Sequence, residues 1–174
     1  MAINDPRVRP AGPADLAAIA AIYAHYVTTS VATFDETAPT AGDWERKAAD
    51  LAERSLPLLV AESDGQVVGY AYAGPWRPKP AYRHTVEDSI YLAPGHTGEG
   101  LGRALLETLL ERCAQAGARQ VIAVITDSGE PGSLALHRRL GFVDAGRLTA
   151  VGFKHGRWVD TLLLQRDLTH WPTG

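Results

Sequence analysis

The first chemical signal in the chain is a cluster of glycines. His96-Thr97-Gly98-Glu99-Gly100-Leu101-Gly102 follows an alternating run that ends at Pro94-Gly95, and it leads at once into a stripe of Leu101, Leu105, Leu109 and Cys113. Residues four apart share one helix face. A strand end, a glycine turn and a helix start therefore meet at one place. Glycine lets the backbone take a positive φ and come close to a ligand. A helix start presents unpaired N–H groups and a partial positive charge. Together these suit an anion, above all a phosphate or pyrophosphate. A P-loop needs Gly-Lys-Ser/Thr after four spacer residues, which is not found here. Gly98, Gly100 and Gly102 give G-x-G-x-G, not the dinucleotide fingerprint G-x-G-x-x-G. By spacing alone, a glycine turn that holds no ligand stays open.

Other chemistries have weaker support. The six histidines, at 25, 84, 96, 137, 155 and 170, include no i,i+4 pair with a third ligand, and a single Cys113 does not make a zinc site, so no metal is expected. Cys113 falls on the apolar stripe and reads as core. Gly-x-Ser-x-Gly is absent, which removes the hydrolase elbow.

The elements that must position the glycine loop follow from periodicity. Leu16, Ile19, Ala20, Tyr23 and Val27 predict a helix over 14–27, with Asp15 near its positive end. A more polar helix is expected over 41–54. Leu58 to Glu62 and Gln66 to Ala73 flank Asp64-Gly65, a strong hairpin signal. Gly74, Pro75, Pro78 and Pro80 make 74–83 a loop. Thr85 to Leu92 alternates as a strand, Gly117 stops the helix that begins at Leu101, and Arg119 to Ile125 is a buried-type strand. After a loop at 127–132, Ser133 is placed to cap a short helix through Leu140, and Phe142 to Asp167 reads as strands with turns at Gly146 and His155-Gly156. The order β, α, α, β, β, β, α, β, α, β, β mixes hairpins with crossovers. It predicts one α/β domain with a mixed sheet.

Size and composition agree. The 174 residues suit one domain of about 100–200. Hydrophobic residues make up 45% and charged residues 21%, which are globular values. A net charge of −3 argues against binding nucleic acid by bulk charge. The N-terminus carries no apolar stretch of signal-peptide length, the longest apolar runs are too short to span a membrane, and one cysteine fits a reducing compartment. The expected location is the cytoplasm.

Residues 97–102 resemble the loop of the GNAT acetyltransferase superfamily, Q/R-x-x-G-x-G/A, with Gly100 and Gly102 at the two small positions and Thr97 departing from Gln or Arg. Further segments resemble the phosphinothricin N-acetyltransferases of that superfamily. They are His25 to Ser30, Ala71 to Trp76, Ala81-Tyr82, Thr85-Val86-Glu87, and Gly152 to Trp158. Arg83 to Glu87 and Leu136 to Phe142 also resemble relatives that acetylate methionine sulfoximine, methionine sulfone or ordinary amino acids. The resemblance covers about 7–167 of a single 1–174 domain.

It implies a splayed sheet flanked by helices, and transfer of acetyl from acetyl-CoA to the α-amino group of phosphinothricin or a similar small amino-acid analogue. The alternatives are a sulfoximine, sulfone or general amino-acid acetyltransferase and, in another class, a non-catalytic CoA-binding module. The strands that part are Thr85–Leu92 and Arg119–Ile125. Ile90, Tyr91 and Leu92 would pair with pantetheine. Amides of Thr97, Gly98, Glu99, Gly100, Leu101, Gly102 and Arg103 would hold pyrophosphate, and Ser133 would lie near the pantetheine. Glu130 stands where the family often has Asn. Glu87 matches the catalytic glutamate that takes the ammonium proton, with Asp88 and Glu62 as competitors. Strand alternation sends Asp88 to the other face. His137 stands where many members carry the tyrosine that protonates the leaving thiolate; acid, second base and ordering of the cofactor loop all stay open. A backbone N–H near Tyr91 or Leu92 is the expected oxyanion donor. For the acceptor, Arg77 and Arg83 would meet a carboxylate, Trp76 and Tyr82 would form walls, and Phe34, Lys154 and His155 would complete the pocket. Lys79 reads as a solvated charge. The related enzymes are homodimers, so a homodimer is expected.

Overall fold

The structure is a computed structural model that describes residue 5 and residues 7–172. The reading of the first residues as leaderless lies largely outside that range. Seven strands form one sheet in the order β1-β2-β3-β4-β5-β7-β6. They are β1 (Val8–Pro10), β2 (Leu58–Ser63), β3 (Gln66–Pro75), β4 (Thr85–Leu92), β5 (Gln120–Thr126), β6 (Val143–Lys154) and β7 (Arg157–Asp167). Among the described residues four α-helices cover it: α1 (Leu16–Thr29), α2 (Ala41–Glu53), α3 (Leu101–Gln115) and α4 (Gly132–Arg139). Among the described residues only β4 and β5 run parallel; every other pair is antiparallel. The mixed sheet and the element order are those expected.

Local chemistry explains the boundaries. Thr40 and Asp43 form a reciprocal capping box at the start of α2. Asp64 and Gly65 both take positive φ, 51° and 74°, as a two-residue hairpin with the sheet's twist requires. In α3, Leu101, Leu105, Leu109 and Cys113 are fully buried. They pack with Leu59, Ala71, Val86, Val121 and Leu164 on one face of the sheet. The other face packs Tyr70 and Val60 against Ile19, Ile22 and Trp44 of α1 and α2.

Two local expectations are corrected. Ser133 does not cap α4: Pro131 is the N-cap, and Ser133 sits inside the first turn with its Oγ 3.5 Å from His137 Nδ1. Gly146 is no turn, for β6 runs unbroken to Lys154. The surplus residues are absorbed as bulges between Asp144 and Gly146 and between Leu148 and Gly152, the second with Ala150 at φ 51°. Pairing with β7 outweighs the local turn tendency of glycine.

Candidate active site

The site begins where two strands part. β4 and β5 pair over three residues, Thr85↔Gln120, Val86↔Val121 and Glu87↔Ile122. Beyond Glu87, β4 stays with β3 as far as Gly69↔Leu92, and β5 stays with β7 as far as Thr126↔Thr161. A gap therefore opens between them. Trp76 N–H donates to Thr85 O and Ala93 N–H to Val68 O, so the odd-numbered residues bond to β3. The main-chain groups of Asp88, Ile90 and Leu92 then point into the gap. This corrects the place of Tyr91, whose amide faces β3. The Tyr26 hydroxyl donates to the Leu92 carbonyl at the same edge.

The glycine loop closes the end of the gap. Gly98 and Gly100 take φ of 82° and 79°, a region costly for other residues. A Cβ on Gly98 would meet nothing within 4 Å, so the space above this backbone is open. Leu101, Gly102 and Arg103 form the first turn of α3, where N–H groups lack intrahelical acceptors. A Cβ on Gly102 would lie 3.3 Å from Leu136 Cδ2, so α4 packs close to this turn. Thr97, Glu99 and the Arg103 side chain are exposed, and Arg103 is turned to Glu107, 3.0 Å away. Open room, free amides and an unpaired strand edge fit a long ligand with phosphates at one end.

Glu87 stands at the last paired position, half-buried, with Gly74 opposite it on β3. A Cβ at Gly74 would meet nothing within 4 Å, which leaves space beside the carboxylate. Burial pushes the Glu87 pKa up and the neighbouring Asp88 charge adds to this, while Lys47 pulls it down.

A family model for the GNAT acetyltransferases matches residues 19–142. The chain belongs to the GNAT acetyltransferase family. A phosphinothricin N-acetyltransferase of Alcaligenes faecalis is 52% identical over 159 residues, 91% of this chain and 81% of that protein. An L-methionine sulfoximine/L-methionine sulfone acetyltransferase of Pseudomonas aeruginosa is 41% identical over 162 residues, 92% and 94% of the two chains. The crystal structure of a GNAT phosphinothricin acetyltransferase from Sinorhizobium meliloti in complex with AcCoA superposes with a TM-score of 0.88 at 46% identity, covering 92% of this chain and 86% of that one.

In this GNAT acetyltransferase the two expected catalytic side chains lie on opposite faces of the sheet. Asp88 faces away from Glu87, as alternation requires. It meets His137, Oδ2 to Nε2 at 2.7 Å, and His137 Nδ1 is 2.7 Å from the Ser133 carbonyl. Both ring nitrogens are thus engaged and His137 is buried. That geometry disfavours proton donation and corrects its pairing with Glu87. Glu62 is held by Arg9 on the β1–β2 edge, which removes it as a competitor for the base.

The acceptor candidates separate into two groups. Trp76, Arg77, Lys79, Tyr82 and Arg83 lie on the connection that enters β4 two residues before Glu87. Arg77 stacks on Trp76, with its guanidinium carbon 5.0 Å from the ring centroid. Arg83 donates to the Pro80 carbonyl. Phe34 and Lys154 instead meet each other's segments: the Phe34 ring lies against Gly152, and Lys154 is turned inward onto the Thr33 carbonyl. Glu130 is exposed, its amide on Ser128 Oγ.

Sequence reasoning missed an aromatic wall on the Glu87 face. Tyr70 stacks with Tyr91 and with Tyr72, and Tyr23 packs edge-on against Tyr91 and Trp44. Lys47 Nζ donates to the Tyr72 hydroxyl at 2.9 Å and lies 4.5 Å from that ring. Tyr70 and Tyr72, two apart on β3, are the sequence signal that marked this face. Among the described residues no helix is long and apolar enough to cross a membrane, and no group of three metal-ligating side chains converges.

Proposed function

We propose that this chain, acting as one domain, transfers the acetyl group of acetyl-CoA to the α-amino group of phosphinothricin or a closely similar amino-acid analogue. The observation that carries the reading is Glu87, a half-buried carboxylate with a raised pKa at the point where β4 and β5 part. Bound acetyl-CoA supplies an acetyl thioester. The main chain of Ile90 and Leu92 and the amides from Gly98 to Arg103 hold it. Glu87 takes the proton from the acceptor's ammonium, which frees the nitrogen lone pair to attack the thioester carbon; the C–S bond then breaks and CoA leaves as the thiolate, taking up the second proton that the nitrogen sheds. Leu92 N–H, rather than that of Tyr91, is aimed to receive negative charge in the gap. Arg77 and Arg83 orient the acceptor carboxylate by charge-assisted hydrogen bonds. Trp76 and Tyr82 border it. His137 orders β4 against α4.

A methionine sulfoximine or sulfone is the second acceptor reading, supported by the 41% identity to a relative of that name. The same site supports either, since both acceptors present an α-amino acid with a tetrahedral polar head. A panel assay of CoA release with phosphinothricin, methionine sulfoximine, methionine sulfone, glutamate and aromatic and basic amino acids decides between them. A kcat/KM at least tenfold higher for phosphinothricin, about 1.4 kcal/mol of transition-state preference, upholds the first reading. Preference for the sulfur compounds moves the assignment to the second. Acetyl-CoA binding without turnover on any amine leaves a CoA-binding module.

We further propose a homodimer in the cytoplasm. Val143, Val151, Phe153 and Trp158 are 65, 52, 56 and 69% exposed on the β6–β7 hairpin, apolar area that a second copy would cover. The buried free thiol of Cys113 suits a reducing compartment. Sedimentation of the full chain tests the dimer, and a monomer at all concentrations rejects it.

A further inference from the structure

Lys154 is the least expected side chain in the molecule. It ends a surface strand beside the His155-Gly156 turn, yet it is 3% exposed. A lysine is almost never so buried unless its ammonium is paired. The partner here is a main-chain oxygen: Nζ donates to Thr33 O at 2.8 Å, with the Asp35 and Glu36 charges nearby. Two residues earlier on the same face of β6, Gly152 lies under Phe34, where a Cβ would be 2.2 Å from the ring. Positions 152 and 154 therefore grip residues 34 and 33 of the connection between α1 and α2. The grip continues to the sheet face that carries Glu87. Thr33 Oγ1 is 2.7 Å from the Tyr23 hydroxyl, which also bonds to Asp35, and Tyr23 packs against Tyr91, 5.3 Å between centroids. Tyr91 stands on the same strand face as Glu87.

We propose that Lys154 is a positioning residue for acceptor recognition: its ammonium clasps the 30–39 connection onto the β6–β7 hairpin and so fixes the Tyr23–Tyr91 wall on the sheet face that carries Glu87. This rests on the amino-acid acetyltransferase reading above. It differs from a lysine that binds the acceptor itself, because the ammonium acts through Thr33 and not on the substrate.

Lys154→Met keeps the volume and removes the charge. In the full-length protein it should speed hydrogen–deuterium exchange in peptides covering 30–39 by about tenfold or more, with α3 peptides unchanged. It should raise the acceptor KM about tenfold and leave the acetyl-CoA KM within twofold. The rise should be equal for an amino-acid acceptor and for its primary carboxamide, which lacks the carboxylate charge. Gly152→Ala, which keeps Lys154, should reproduce both effects and guards against a misfolded lysine variant. Loss confined to the carboxylate acceptor, or unchanged exchange in 30–39, overturns the proposal. If the wild-type enzyme acetylates no amino-acid acceptor, the functional reading falls, and acceptor recognition with it, while the exchange data still decide the clasp.

Discussion

His137 and Asp88 form a buried pair, Nε2 to Oδ2 at 2.7 Å, with side chains 3% and 1% exposed, on the sheet face opposite Glu87. The Ser133 carbonyl, an obligate acceptor, takes the Nδ1 proton. Nε2 lies against Asp88 Oδ2, so the buried pair holds one further proton between them. Burial alone would pull the His137 pKa down, but the hydrogen bond and charge of Asp88 and the Ser133 carbonyl outweigh it and the net direction is up. A raised histidine contributes stability that is complete below its unfolded pKa, near 6.5, and is lost as pH climbs through the folded value. Thermal melts should therefore show a decline in Tm from about pH 6.5 upward that His137→Gln abolishes. Asp88→Ala should cost about 1–3 kcal/mol, since it leaves a buried ring nitrogen without its partner. An identical pH slope in wild type and His137→Gln would show that the pair is not ionised.

Glu87 carries an opposed demand. Its pKa is raised by burial and by Asp88, so its ionised form costs stability above the ordinary glutamate range, while activity requires that form. Glu87→Gln should lower kcat by about 10²–10⁴-fold and leave Tm at pH 8 equal or higher. An unchanged kcat across the pH profile removes Glu87 from the mechanism.

Lys47 is the cation that opposes those two effects. It is held by the Tyr72 hydroxyl and lies over the Tyr72 ring. Lys47→Met should let the Glu87 pKa rise further, so the acid limb of kcat/KM moves to higher pH. Lys47→Arg should restore it. A limb that stays in place in Lys47→Met would mean that the charge does not reach Glu87.

Gly98 isolates backbone conformation from crowding, because its φ is 82° and the space around it is open. Gly98→Ala should cost about 1–2 kcal/mol of left-handed strain. Acetyl-CoA KM should rise and acceptor KM should not. Equal rises in both would place the loop in acceptor binding instead.

Arg77 and Arg83 lie exposed before β4, and Arg77 stacks on Trp76. Arg77→Ala and Arg83→Ala should each raise the acceptor KM and leave that for acetyl-CoA alone. Steady-state kinetics with one substrate varied at a time reads the split, and a pure loss of stability would assign both residues to the loop's own structure.

Much of this protein is written locally in its sequence. The hairpin at Asp64-Gly65, the α3 stripe, the extent of β4 and the opposite faces of Glu87 and Asp88 follow from turn chemistry and from periods of 3.6 and 2, which involve neighbours within a few residues. The glycine loop was legible for the same reason: positive φ is a property of single residues. Tertiary structure decided the rest. His137 finds Asp88 49 residues away, and Lys154 finds Thr33 121 residues away. The aromatic wall draws Tyr23, Tyr70 and Tyr91 from three elements. The point at which β4 and β5 separate, and the turning of the Leu92 amide rather than that of Tyr91 into the gap, depend on which strands each keeps as partners. Such pairings are set by sheet order and by the packing of whole helices on its faces, and no local pattern in one segment records them.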